Sequence, residues 1–192
     1  MKSVFWAALA VLAGPLSAHP HVWVDVKAEV ILAQGVVDGV WTEWTFDDMF
    51  SQLILTDNDP NGTGKVDAKM NASIKKGYFD NLRNYDYFSH FFVGAKELKV
   101  PVPQKFQATI TPDGRVKYRF YLPLAAPLGP STFSVSFYDD SYFTDMMFQK
   151  SNPVVLTATG GTATVTLKPD KSKTYYGGSV TPIYAVVVWS PS

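Results

Sequence analysis

Residues 21–32 alternate between a wholly apolar face and a more polar one. Val22, Val24 and Val26 fall on one face, and Trp23, Asp25 and Lys27 fall on the other. A period of two is the pattern of a strand with one face in the core. Residues 40–46 continue it after a turn around Gly35 and Asp38-Gly39. Residues 105–111 and 115–122 flank Pro112-Asp113-Gly114, a hairpin signal. Residues 132–138, 153–159, 162–167 and 183–189 bring the count to at least seven short strands. The period changes between residues 47 and 85. Asp47 or Asp48 can cap a short helix running towards Thr56, and a second helix fits residues 67–84. Its apolar face carries Met70, Ile74, Tyr78 or Phe79, and Leu82, with Gly77 as a weak point. The pattern predicts a mainly β (α+β) chain: one antiparallel β-sandwich-like domain over residues 19–192, with a helix–loop–helix insertion at about 47–85.

The first eighteen residues do not fit that domain. Met1-Lys2-Ser3 is a short positive start, residues 4–13 form an apolar run, and Gly14-Pro15 precedes Leu16-Ser17-Ala18. This is the layout of a secretory signal peptide over residues 1–18, and the run is too short for a resident membrane helix. Cleavage after Ala18 is expected, with a periplasmic destination. No later stretch is long and apolar enough to cross a membrane, so no integral membrane segment is expected after cleavage.

Composition then narrows the chemistry. Lys plus Arg and Asp plus Glu both number 17, which argues against nucleic-acid binding because that requires a basic face. With no cysteine, a disulfide framework, a thiolate metal site and a Cys nucleophile are excluded. That leaves three histidines, His19, His21 and His90. After cleavage His19 is the first residue, and its α-amine and imidazole can chelate one ion together. His19, His21, Trp23 and Asp25 point the same way along an extended chain. Pro20 has no amide proton to lose, which blocks the square-planar copper or nickel arrangement that uses backbone nitrogens. Imidazole with carboxylate suits zinc, copper, nickel or cobalt over magnesium or calcium.

His90, within Tyr87-Phe88-Ser89-His90-Phe91-Phe92, is the third imidazole available, or else a packed side chain among aromatics. Asp25, Asp47, Asp48, Asp139 and Asp140 supply carboxylates, of which Asp139-Asp140 follow a strand end where site-forming loops occur. The candidate ligands are therefore His19, His21, His90, Asp25 and Asp139. Asp139 can serve either as a ligand or by orienting an imidazole.

A second pattern lies inside the insertion. Asp59, Asn61, Thr63, Lys65 and Asp67 take positions one, three, five, seven and nine of an EF-hand-like loop, with Gly64 at the sharp turn. Position twelve is Met70 where the motif has a bidentate Glu, and position five lacks its carboxylate. Ligand charge sets affinity, so calcium is not expected to bind well.

His19-Pro20-His21-Val22-Trp23-Val24-Asp25 resembles the start of the bacterial domain-of-unknown-function 1007 family. The similarity continues through Trp44-Thr45-Phe46-Asp47-Asp48-Met49-Phe50-Ser51, the Asp/Asn/Gly loop, and Tyr87-Phe88-Ser89-His90. It reaches Pro123-Leu124 and Tyr138-Asp139-Asp140-Ser141-Tyr142-Phe143. The resemblance implies a periplasmic component of a metal-type transport system working beside an inner-membrane transporter of the nickel/cobalt type, with zinc as one proposed cargo. Thr63 and Met70 depart from the Asp and Glu that the family carries at those loop positions.

Three functions compete on this reading. The first is a non-enzymatic, exported accessory protein that captures a divalent transition metal, zinc before nickel, cobalt or copper. The second is a copper oxygenase using an amino-terminal histidine brace. The third is a metal-free interaction module that docks through Trp23, Tyr138, Tyr142 and Phe143. No Ser-His-Asp arrangement has supporting local context.

Overall fold

The computed structural model describes residues 20–59 and 61–192; the signal-peptide expectation for residues 1–18 and the candidate ligand His19 lie outside the described residues. β1 (Val22–Ala33) alternates as the sequence predicts, with Val22, Val24, Val26, Ala28, Val30 and Leu32 all buried. A turn with Gln34 and Gly35 at positive φ leads into β2 (Val36–Phe46), which pairs antiparallel with β1. A bulge between Val37 and Gly39 resets the register, so Val40, Thr42, Trp44 and Phe46 face inward.

The insertion follows. α1 (Asp48–Asn58) is capped by Asp47, whose carboxylate accepts from the Phe50 N–H at 2.8 Å and from the Trp23 N–H at 2.8 Å. α2 (Ala68–Ile74) starts on Asp67, which accepts from the Met70 N–H at 2.7 Å. The predicted single helix over 67–84 does not continue regularly. Lys75–Phe79 widens into a π turn, and Asp80–Phe88 runs on in tighter 3-10 turns. Spacing explains the change: the buried positions are Met70, Ile74 and Phe79, and the wider turn brings Phe79 instead of Tyr78 to the core side. Asp86, Tyr87 and Phe88 then adopt φ of 48° each, three consecutive side-chain-bearing residues in the left-handed region.

The rest is β: β3 (Ser89–Val93), β4 (Lys96–Leu98), β5 (Gln104–Ile110), β6 (Val116–Pro127), β7 (Phe133–Phe137), β8 (Thr144–Phe148), β9 (Val154–Thr159), β10 (Gly161–Pro169) and β11 (Ile183–Pro191). One sheet has the order β5-β6-β2-β1-β8, with β9 also on β1; the other has the order β10-β11-β7-β3-β4. The chain is thus mainly β with a small helical part, as the pattern indicates. The first sheet is not wholly antiparallel, because β8 and β9 both run parallel to β1, pairing Val22 with Thr144 and Ala28 with Val154. Side-chain alternation is the same in either direction, so the sequence pattern carries no sign of it.

One hydrophobic cluster joins both sheets and the insertion: Trp44, Tyr118 and Phe120 from the first, Phe91, Phe133 and Val135 from the second, and Ile54, Ile74 and Phe79 from the helical segment. Phe79 is its hub, with ring centroids 4.4 Å from Phe106, 4.9 Å from Phe120 and 5.2 Å from Tyr87. Polar ties fix the insertion to the sheet. Ser51 Oγ accepts from the Val116 N–H, and Asn71 Oδ1 accepts from the Ala108 N–H, at 2.9 and 2.7 Å. The outer face of the first sheet carries charge, with Arg119 bridging Glu43 and Glu29 while lying over the Trp41 ring.

Candidate functional site

The parallel pairing of β8 beside β1 brings the start of the described chain to the loop that enters β8. The His21 N–H donates to the Phe143 carbonyl at 2.8 Å, and the two rings stand 4.9 Å apart. The Tyr138 to Phe143 loop is organised by Asp139, which is only 6% exposed. Its carboxylate accepts from the Ser141 N–H at 2.9 Å, the Ser141 hydroxyl at 2.7 Å and the Thr144 N–H at 3.0 Å. A carboxylate offers about four lone-pair directions, so three of them serve to shape the loop.

His90 sits behind the same loop. On β3 it lies opposite Ser136, and its ring stacks face to face on Tyr138 with centroids 3.7 Å apart. Its Nε2 is 3.2 Å from the Tyr138 carbonyl oxygen, a contact made by the tautomer with the proton on Nε2. That tautomer leaves Nδ1 as the acceptor. Burial holds the His90 pKa below the ordinary value, opposed by the Tyr138 carbonyl and by the charges of Asp140 and Glu97. The neutral ring, the form that binds a metal, is therefore the favoured one near neutral pH.

His90, Asp139, Asp140 and Glu97 line one cleft of about 750 Å³, together with Asn84, Asp86 and Ser141. Asp25 is elsewhere. It lies on the outer face of the first sheet, with Oδ2 3.3 Å from Arg115 Nη1, and lines a different recess with Trp23 and Met147. Among the described residues, no three His, Cys, Asp or Glu side chains are grouped so as to hold a metal ion. The structure thus brings His90 and Asp139 to one recess, puts His21 against the loop that bounds it, and separates Asp25 from them. Glu97 escaped the sequence reading because a short Lys-Glu-Leu strand carries no motif. Asp140 stood among the carboxylates without being chosen over Asp139.

Next to this cleft is a second recess of about 410 Å³, bounded by β1, β2, α1, the 3-10 segment and the 139–144 loop. The two share Tyr85, Phe88, Asp139 and Ser141 as walls. The strained residues at 86–88 set the position of this common wall, and the Tyr138 N–H donates to the Phe88 carbonyl at 3.0 Å. Left-handed conformations at residues with side chains cost roughly 1–3 kcal/mol each and persist only where their surroundings enforce them.

The EF-hand-like loop is closed by its own side chains. Asp59 accepts from the Thr63 N–H, the Thr63 hydroxyl and the Gly64 N–H, all at 2.9 Å, and those backbone donors hold its carboxyl below the usual range. Asp67 is occupied as the α2 cap and Met70 is buried in the core, while Asn61 and Lys65 are exposed.

Taken together, the chain is a two-sheet, mainly β protein with a helical insertion and a polar cleft bounded by the 3-10 segment, β3, β4 and the start of the Tyr138 to Phe143 loop. Residues 4–180 match the family described as "Protein of unknown function (DUF1007)", and the chain belongs to that family. A relative from Spirochaeta aurantia, an uncharacterised 15.5 kDa protein in the trpE 3' region, is 51% identical over 141 residues, which cover 72% of this chain and all of the relative. An uncharacterised protein from Haemophilus influenzae is 26% identical over 146 residues, covering 73% of this chain and 68% of its own. No helix among the described residues is long and apolar enough to cross a membrane.

Proposed function

We propose that this chain is an exported, non-enzymatic accessory protein of the periplasm. It captures a divalent transition metal as cargo, zinc before nickel, cobalt or copper, and passes it to an inner-membrane transporter of the nickel/cobalt type. The observation that carries the reading is the placement of two imidazoles around one loop. His21 is fixed to Phe143 at the end of the Tyr138 to Phe143 loop, and His90 packs against Tyr138 at its beginning. Asp139 and Asp140 lie along the loop between those two contacts and line one cleft with His90, whose ring is held neutral. An imidazole whose Nε2 proton is engaged by a carbonyl has its tautomer and orientation set for binding through Nδ1. His19 is the natural additional donor, supplying an imidazole and, after cleavage at Ala18, an α-amine.

The test is native mass spectrometry and calorimetric titration of the mature protein with zinc, nickel, cobalt and copper. We expect one ion per chain, bound at least about tenfold more weakly by His21→Ala and by His90→Ala, the loss typical of removing a group at a metal site. If no metal binds the wild type better than it binds a His19→Ala, His21→Ala double variant, the proposal fails.

A further inference from the structure

The second recess shares Asp139 with the metal cleft but is otherwise chemically unlike its neighbour. Half of the residues lining it carry aromatic rings, including Trp44 and Phe46 in the floor and Tyr85 and Phe143 at the rim. Tyr85 and Phe143 are 63% and 55% exposed, so large rings edge an opening instead of completing a core. Its volume of about 410 Å³ falls within the range of about 300–1,000 Å³ usual for small-molecule sites.

The charge of the walls is one-sided. Among the described residues, no Lys, Arg or His lines the recess, and its one carboxylate is that of Asp139. An anionic ligand would meet that carboxylate with no cation to offset it. A purely apolar ligand would cover the acceptor direction of the carboxylate that Ser141 and Thr144 leave open and offer nothing in return, which is unfavourable for a buried charge. A cation reverses both penalties. It pairs with Asp139 at one end, and the faces of the surrounding rings attract it through their quadrupoles.

We propose that this recess binds a small organic ammonium ion, with its charged centre between Asp139 and the rim rings Tyr85 and Phe143 and its apolar body over Trp44 and Phe46. Among the described residues the site uses no histidine, and because it shares Asp139 with the cleft beside it, it is tested with that cleft free of metal.

The experiment is calorimetric and NMR titration of the mature protein in chelator-containing buffer with benzyltrimethylammonium. Its neutral isostere neopentylbenzene and the anion phenylacetate serve as comparisons. The cation should bind at stoichiometry one, at least tenfold more tightly than either comparison. Tyr85→Leu and Phe143→Leu, both at exposed positions, should each weaken it about 3- to 10-fold while leaving the unfolding midpoint unchanged. His90→Ala should leave it unchanged, which separates this site from the metal cleft. Equal binding of neopentylbenzene, tighter binding of phenylacetate, indifference to both ring exchanges, or no binding of the cation would each overturn the proposal.

Discussion

Removing one carboxylate, that of Asp47, should cost more than a helix cap alone, because it fastens two elements at once. One oxygen accepts the Phe50 N–H at the start of α1, and the other accepts the Trp23 N–H near the start of β1, both at 2.8 Å. Losing an Asp cap to Ala costs about 0.5–2 kcal/mol. The Trp23 bond adds about 0.5–1 kcal/mol, since the freed N–H is at an exposed position where water can replace the oxygen. Asp47→Ala is therefore expected to destabilise by about 1–3 kcal/mol. With a urea slope of roughly 2 kcal/mol per molar, the unfolding midpoint falls by about 0.5–1.5 M. Asp47→Asn is the informative comparison. Its amide oxygen can keep the cap, and its NH2 cannot accept from Trp23, so its midpoint should lie between the other two. Urea unfolding followed by tryptophan fluorescence measures all three proteins. A change below about 0.3 kcal/mol for the Ala variant, or equal losses for Asn and Ala, would refute the two-bond account.

Further outcomes follow from other parts of the structure. Phe79→Ala empties the hub of the aromatic core and should destabilise by about 3–5 kcal/mol in the same unfolding assay. Gly39→Ala places a Cβ 2.5 Å from the Leu122 carbonyl oxygen beside the β2 bulge, so a loss of about 1–3 kcal/mol is expected, measured by thermal unfolding. A hydrogen bond to Asp57 pushes the Tyr78 pKa up from 10.0 to about 12. The folded chain thus keeps a proton that the unfolded chain releases, and stability should fall as pH rises from about 10 through 12. Ultraviolet titration of phenolate should show Asp57→Asn lowering that pKa towards the ordinary value of about 10.

The strands with strict alternation were legible: β1, β2 and the β5–β6 hairpin stand within a few residues of where the pattern puts them. Three strands were not. β3 and β4 sit in segments without clean alternation, and β8 has a mixed Thr-Asp-Met-Met-Phe sequence. The helix starts at Asp47 and Asp67 were readable because capping is local. The π turn and the left-handed run at 86–88 were not, since tertiary packing of Phe79 and Tyr87 decides them. At the candidate site, histidine scarcity singled out the right rare residues to consider. The period-two rule drew Asp25 into their company, but the structure gives Asp25 to Arg115 across the first sheet's outer face. The loop shape that occupies Asp139 depends on a Ser hydroxyl two residues on, a contact that residue types alone do not announce.

The parallel partners of β1 also set the order in which the molecule can be completed. The first strand of the described chain finds its second edge only when residues 144–159 arrive, as the pairing of Ala28 with Val154 makes plain. Such distant pairings slow folding, because a long loop must close before its contacts return any energy. Until then β1 has β2 on one side and an open row of N–H and C=O groups on the other, the kind of edge on which chains aggregate. A chain cut short before β8 would keep that edge permanently. The same strand that starts the fold is the one that waits longest to be shielded.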